Sequence, residues 1–266
     1  MSFSIRKRKA GEDGQNYLAS VSDLMSGLLY VFILVLVVAV FKLQAVTVKA
    51  GAGFVDYAEE TVDIGITSTR LVVKLADAIE AHAGIKVETQ PENGVLRIPE
   101  SAVSFKVSSD ELTPDNREKL QKIGAEVSAF LRCFVPEAND RSGLCLSVNP
   151  NHHTLESIFI EGHTDNQQFQ RDTTGEGNRL LSARRANAAY LVMVHENSGL
   201  RDARNTNGNA LFSLSGYGAD RPAKGHEHAA PTDDPANRRI ELRFTLTQPK
   251  ATEEMLKMLK DGKDVR

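Results

Sequence analysis

At 266 residues, the chain has room for one membrane segment and one ordinary globular domain, with little left over. A net charge of −3 excludes a molecule that is basic throughout, as a general polyanion binder would be, so no nucleic-acid partner is expected. Two cysteines, Cys133 and Cys145, lack CxxC spacing; they would stay thiols in a reducing compartment and can bridge in an oxidising one.

Arg6, Lys7, Arg8 and Lys9 form a basic cluster ahead of the first apolar stretch. That stretch, Leu24 to Phe41, is uncharged throughout and approaches the ~20 residues needed to cross a bilayer. Only Lys42 and Lys49 follow it closely, so the positive-inside bias places the N-terminus in the cytoplasm and the rest of the chain outside it. A cleaved signal peptide is the alternative. It is opposed by the long region ahead of the apolar core, which carries Asp23.

Asp23 directly precedes the apolar run. A carboxylate near bilayer depth is costly and usually faces protein or water on a transport path. Burial favours the protonated form, so such a group can take up and release a proton near neutral pH. Ser22, Ser26 and Tyr30 fall near it at helical spacing and can line a polar path. The competing reading is an N-terminal helix cap, a place that Asp favours.

Lys49-Ala50-Gly51-Ala52-Gly53 reads as a hinge outside the membrane. Ile64, Leu71, Leu75, Ala78 and Ile79 then recur at helical intervals and predict a helix over about residues 61–83. That helix either packs on the domain or pairs two chains as a neck; pairing is the reading adopted. Ile85–Thr89 alternates like a strand, Pro91–Gly94 is a turn, and Val95–Ile98 returns as the partner strand. Thr113-Pro114 starts a helix whose core face is Leu120, Ile123, Val127, Phe130 and Leu131. Ser157–Glu161 is a strand leading into Gly162-His163-Thr164-Asp165. A helix follows from about Ser182, with Ala189, Val192 and Met193 inward. Leu211–Leu214 and Arg239–Phe244 are further strands, and the tail from Gln248 is charged and loosely held. The pattern predicts an α+β fold: one transmembrane helix, then a mixed sheet with helices on one face.

These readings divide the chain into a cytoplasmic segment (1–22), a transmembrane helix (23–43), a linker and neck (44–84), the α+β domain (85–247) and the tail (248–266). On this topology both cysteines lie outside the cytoplasm. An intrachain Cys133–Cys145 disulfide is expected there; the alternative is two separate thiols, one of them buried beside Phe130 and Phe134.

The ordered pieces resemble the OmpA-like peptidoglycan-binding domain. The residues carrying the match are Gly162-His163-Thr164-Asp165-Asn166, Asn178, Leu181-Ser182, Arg185-Ala186, Gly216-Tyr217-Gly218, Pro222 and Asn237-Arg238-Arg239-Ile240. The resemblance implies binding to the meso-diaminopimelate of peptidoglycan stems. Asp165 would hold the ligand ammonium and Arg185 a carboxylate, with Asn178 and Leu181 lining the same cleft. A planar guanidinium suits a carboxylate. From charge pattern alone, a plain Asp165–Arg185 ion pair bracing the strand–helix junction is the alternative.

The length of the Gln167–Gly177 loop, the basic N-terminus, the single span and its aspartate resemble flagellar stator B subunits. Those subunits usually have an aromatic residue shortly before the aspartate and a Met-rich stretch after it. Here Ser20–Val31, the Val-rich helix and the paired cysteines are more similar to the B subunits of Zorya anti-phage systems. The resemblance implies an inner-membrane motor in which a ring of five multi-span A subunits turns around two B chains. Asp23 would be its ion carrier. A proton is the expected ion; sodium would need further oxygen ligands, which Ser22 and Ser26 can supply. The remaining readings are a flagellar-type stator, or a passive wall anchor that gains nothing from Asp23. No cofactor is implied. An enzyme is not expected: neither GxSxG nor HExxH occurs, and Cys133 lacks an activating context. His152-His153 and His226-x-His228 are read as solvated loop residues without further ligands.

Overall fold

The computed structural model describes residues 12–136, 142–167 and 176–261. The basic cluster Arg6–Lys9 and most of the Gln167–Gly177 loop lie outside these residues. The chain divides into two compact units, residues 1–58 with 250–266, and Glu59–Pro249. Helix α1, Glu12–Ala83, contributes residues to both.

In the first unit, Val21–Ala45 is the one segment among the described residues that is long and apolar enough to cross a membrane, with a mean hydropathy of 2.8. Its side chains, Leu28 to Phe41 included, are largely exposed, as befits a surface solvated by lipid. Lys49–Gly53 is helical, which corrects the expected hinge. Each glycine in a helix costs about 1 kcal/mol relative to alanine, but breaking the helix there would require two new ends and a second nucleation. The tail is also more ordered than expected. Glu253–Asp261 forms the last helix among the described residues, started by Thr252, whose Oγ1 accepts from Met255 N (3.3 Å).

The second unit holds a five-stranded sheet. The strands are β1 (Glu88–Gln90), β2 (Val95–Pro99), β3 (Leu155–His163), β4 (Phe212–Gly218) and β5 (Arg239–Leu246). They lie in the order β1-β2-β5-β3-β4, with only β3 and β4 parallel. The helices are α2 (Pro114–Leu131), α3 (Gly143–Val148), α4 (Glu176–Tyr190), which runs on through a π-helical turn at Leu191–His195, and the short α5 (Ser198–Arg201). This is the mixed α+β sheet that the strand and helix patterning predicts.

One sheet face is the core. Leu96, Ile98, Ile158, Ile160, Ile240 and Leu242 alternate inward and pack with the α2 residues Leu120, Ile123 and Val127. Ile64, Leu71, Leu75 and Ile79 of α1 belong to this same core, each at most 4% exposed. The apolar face of the neck is therefore spent on its own domain. The packed-helix reading holds there, and pairing of two chains through that face does not. The pattern is the same for both readings, because an amphipathic stripe does not specify what covers it.

Predicted strand Ile85–Thr89 is shortened to Glu88–Gln90. Its partner β2 ends at Pro99, which has no N–H to extend the ladder. Gly94 closes the turn at φ 63°, and a side chain there would lie 2.7 Å from Phe244 O. Cys133 and Cys145 form a disulfide between the end of α2 and α3. Asn149 secures the same corner, donating to Cys133 O and His153 O at 2.7 Å each.

Candidate functional site

Helix α4 sits unusually close to the parallel strands. Gly162 and Gly216 pair in register across β3 and β4. A Cβ on Gly162 would lie 2.0 Å from Ser182 O, and one on Gly216 would lie 2.5 Å from Ala183 N. These two absent side chains let the helix backbone rest on the sheet. They bring Asn178, Leu181 and Arg185 of α4 against Thr164 and Asp165, which follow β3.

The result is a cleft of about 210 Å³ lined by Asp165, Asn178, Leu181 and Arg185 together with Glu100, Phe105, Asp233 and Arg238. All four residues assigned to the wall site from the sequence meet there. Asp165 and Arg185 do not form the bracing ion pair that was the alternative. Asp165 instead accepts from Arg238 Nη1. Arg238 also binds Asp233 and holds Glu100 through Nε (2.8 Å) and Nη2 (2.7 Å). The Glu100 contact, with Asp233 and Asp165 behind it, raises the already high proton affinity of Arg238.

Arg185 is only 6% exposed. Its Nε donates to Ser109 O (2.9 Å) and its Nη2 to Lys106 O (3.3 Å), and its guanidinium lies 5.3 Å from the Phe105 ring centre. Burial lowers its proton affinity, with Glu100 opposing that. Among the described residues no carboxylate bonds it, although a guanidinium offers five N–H donors. Asn178 has a positioning role: its Nδ2 donates to Gln167 O (2.7 Å) and Asp165 O (3.4 Å). Three carboxylates thus share Arg238, leaving surplus negative charge on one side of the cleft, while Arg185 supplies a buried cation on the other.

Glu100, Phe105, Asp233 and Arg238 were not assigned from the sequence. Arg238 stands in one of the motifs, but its partner Glu100 lies 138 residues away in sequence and its partner Asp233 in an irregular loop. Only the fold joins them.

The opposite sheet face carries a second set of charges. Arg97 and Arg239 bind Glu241 Oε1 at 2.9 and 2.7 Å, and Arg243 grips Glu161 through Nε (3.0 Å) and Nη2 (2.8 Å). His163 lies beside them, with Nε2 3.4 Å from Glu241 Oε2.

Asp23 lies about three turns inside α1 rather than at its first residue, so the capping reading fails. It falls within the apolar span Val21–Ala45. Ser26 Oγ bonds back to Ser22 O (2.7 Å), which engages that hydroxyl as a donor.

No protein-family model and no curated protein matches the chain. Several solved structures are similar. The periplasmic domain of Helicobacter pylori MotB (residues 78–256) is 17% identical, with 67% of this chain and 90% of that one covered, at a TM-score of 0.39. A putative MotB-like protein from Desulfovibrio vulgaris is 16% identical, with 70% and 98% covered, at 0.43. The OmpA-like domain of FopA1 from Francisella tularensis is 12% identical, with 61% and 82% covered, at 0.34.

Proposed function

We propose that this chain is an inner-membrane wall anchor and the B-type stator subunit of a proton-driven motor. Arg185 carries the wall-binding half: a buried guanidinium that no carboxylate among the described residues bonds, facing a carboxylate-rich wall across a small cleft. A zwitterion matches that arrangement, its carboxylate on Arg185 and its ammonium on Asp165. The meso-diaminopimelate of a peptidoglycan stem is such a ligand. The Cys133–Cys145 disulfide suits an oxidising periplasm for this domain, with the N-terminus in the cytoplasm.

Asp23 carries the motor half. A carboxylate inside an apolar span is costly, and a neighbouring multi-span A subunit would complete its surroundings. Each elementary charge falling through 100 mV releases about 2.3 kcal/mol, which is available for a step. Two such B chains would stand within the A ring. The sequence around Asp23 favours an anti-phage role of the Zorya type over a flagellar one. A passive anchor is the second reading, favoured if Asp23 proves dispensable.

Arg185→Ala and Asp165→Ala should each weaken sedimentation with purified sacculi, because losing one partner of a desolvated charge pair costs about 2–5 kcal/mol. Thermal stability measured on the same samples separates binding from folding. A stable Arg185→Ala protein that still sediments fully with sacculi would rule out the assignment.

A further inference from the structure

We propose that His226, His228 and Asp234 form a binding site for a divalent transition-metal ion, zinc being the best match. The sequence offers only His-x-His in a loop. The fold adds the third ligand, since one carboxylate oxygen, Asp234 Oδ2, lies 2.8 Å from His226 Nδ1 and 2.6 Å from His228 Nε2. The three donor atoms all lie within 4.8 Å of one another. Two imidazoles and a carboxylate are a zinc donor set, with bonds of about 2.0–2.2 Å. Tetrahedral donors at that distance stand about 3.3 Å apart, so the present hydrogen bonds need to open by less than about 1 Å. His226 and His228 are 45% and 34% exposed, which leaves room for a water as fourth ligand.

The loop is also held in place for the purpose. Asn237, 4% exposed, donates from Nδ2 to His226 O (2.9 Å) and accepts at Oδ1 from Ala223 N (2.8 Å). Asn166 donates to His228 O and Ala230 O, both at 2.8 Å, and accepts from Thr232 N at 2.7 Å. Asp234 Oδ1 accepts from Ala236 N (3.0 Å), which orients the carboxylate so that Oδ2 faces the imidazoles. Both ends of the ligand set are thus fixed by asparagines whose roles involve no metal. Glu161, His163 and Glu241 are equally close together, but arginines already hold both carboxylates, so that cluster repels a further cation.

The site bears on the cleft without depending on its function. Asp233 and Arg238 flank the loop's last ligand, and Asn166 follows Asp165. A bound ion would stiffen the segment that carries one wall of the cleft.

The test uses the full chain in detergent, without a histidine tag, stripped with chelator and titrated with Zn2+ by calorimetry and by competition with a chromophoric chelator. The expected result is one zinc per chain, with a raised melting temperature. His228→Gln and the His226→Gln/His228→Gln pair should weaken binding by at least about tenfold and remove the thermal shift. These substitutions leave Asn166 and Asn237 intact, and unchanged metal-free melting confirms the fold. Absence of saturable uptake by folded wild-type protein, or equal affinity in the double variant, would overturn the proposal.

Discussion

At Gly162 one missing methylene decides where a helix can lie. A Cβ would press on the Ser182 carbonyl, which is backbone and cannot rotate away. Gly162→Ala should lower stability by about 1–3 kcal/mol, read as a shift in the urea midpoint, and should loosen the cleft because Asn178, Leu181 and Arg185 ride on the displaced helix. His163 gives a different signature. Burial pushes its imidazole below the ordinary range, although Glu241 pulls the other way. The unfolded chain takes a proton near about pH 6.5, so this contribution is full above that value and is lost as pH falls below it. Glu241 adds a second stage. Burial acts to raise its carboxyl, but His163 and Arg239 override this and hold it well below the usual carboxylate range. Its contribution is present above about pH 4.3 and is lost on further acidification. Unfolding curves from pH 8 to 2 should show both stages, and His163→Gln should flatten the first. Equal slopes in the variant and wild type would remove His163 as the cause.

Among the elements, those legible in the sequence are those whose partners are local or whose pattern is long. Helix α2 is one, with Thr113 accepting from Asn116 N and Pro114 in the first turn. Strands β2, β3 and β5 are others, β5 with apolar residues at every second position and β2 and β3 as short apolar runs. Helix α4 begins at Glu176 rather than near Ser182 because Gly177 and Asn178 look like loop residues, while Asn178 actually bonds carbonyls across the cleft. The cleft was half legible in the same way. Asp165 and Arg185 stand in recognisable motifs, whereas Glu100 is placed only by the pairing of β2 with β5. The corner of α2 and α3 yields a further prediction. Cys133 and Cys145 are 12 residues apart, and reduction, or Cys133→Ser with Cys145→Ser, should cost about 2–4 kcal/mol. Melting with and without reductant checks it, and the double variant should be insensitive to reductant.

Taken whole, the molecule joins an apolar span bearing one acid to a domain bearing a cleft for opposite charges. On the proposed function, Asp23→Asn should insert and assemble normally yet abolish activity, because Asn keeps the shape but cannot gain and lose a proton. Cells carrying that variant and defending themselves, or turning a motor, at wild-type levels would leave only the passive anchor. The burial of Ile64, Leu71, Val72, Leu75 and Ile79 in the core also sets where the chain can be cut. A soluble fragment beginning at Ile85 would follow the boundary suggested by motif alone, yet it would leave behind a trench shaped for five missing side chains. Such a fragment should clump or bind apolar dyes. One starting at Glu59 keeps its lid and should remain monodisperse, so the shortest autonomous piece of this protein includes helical residues that a motif-based excision would discard.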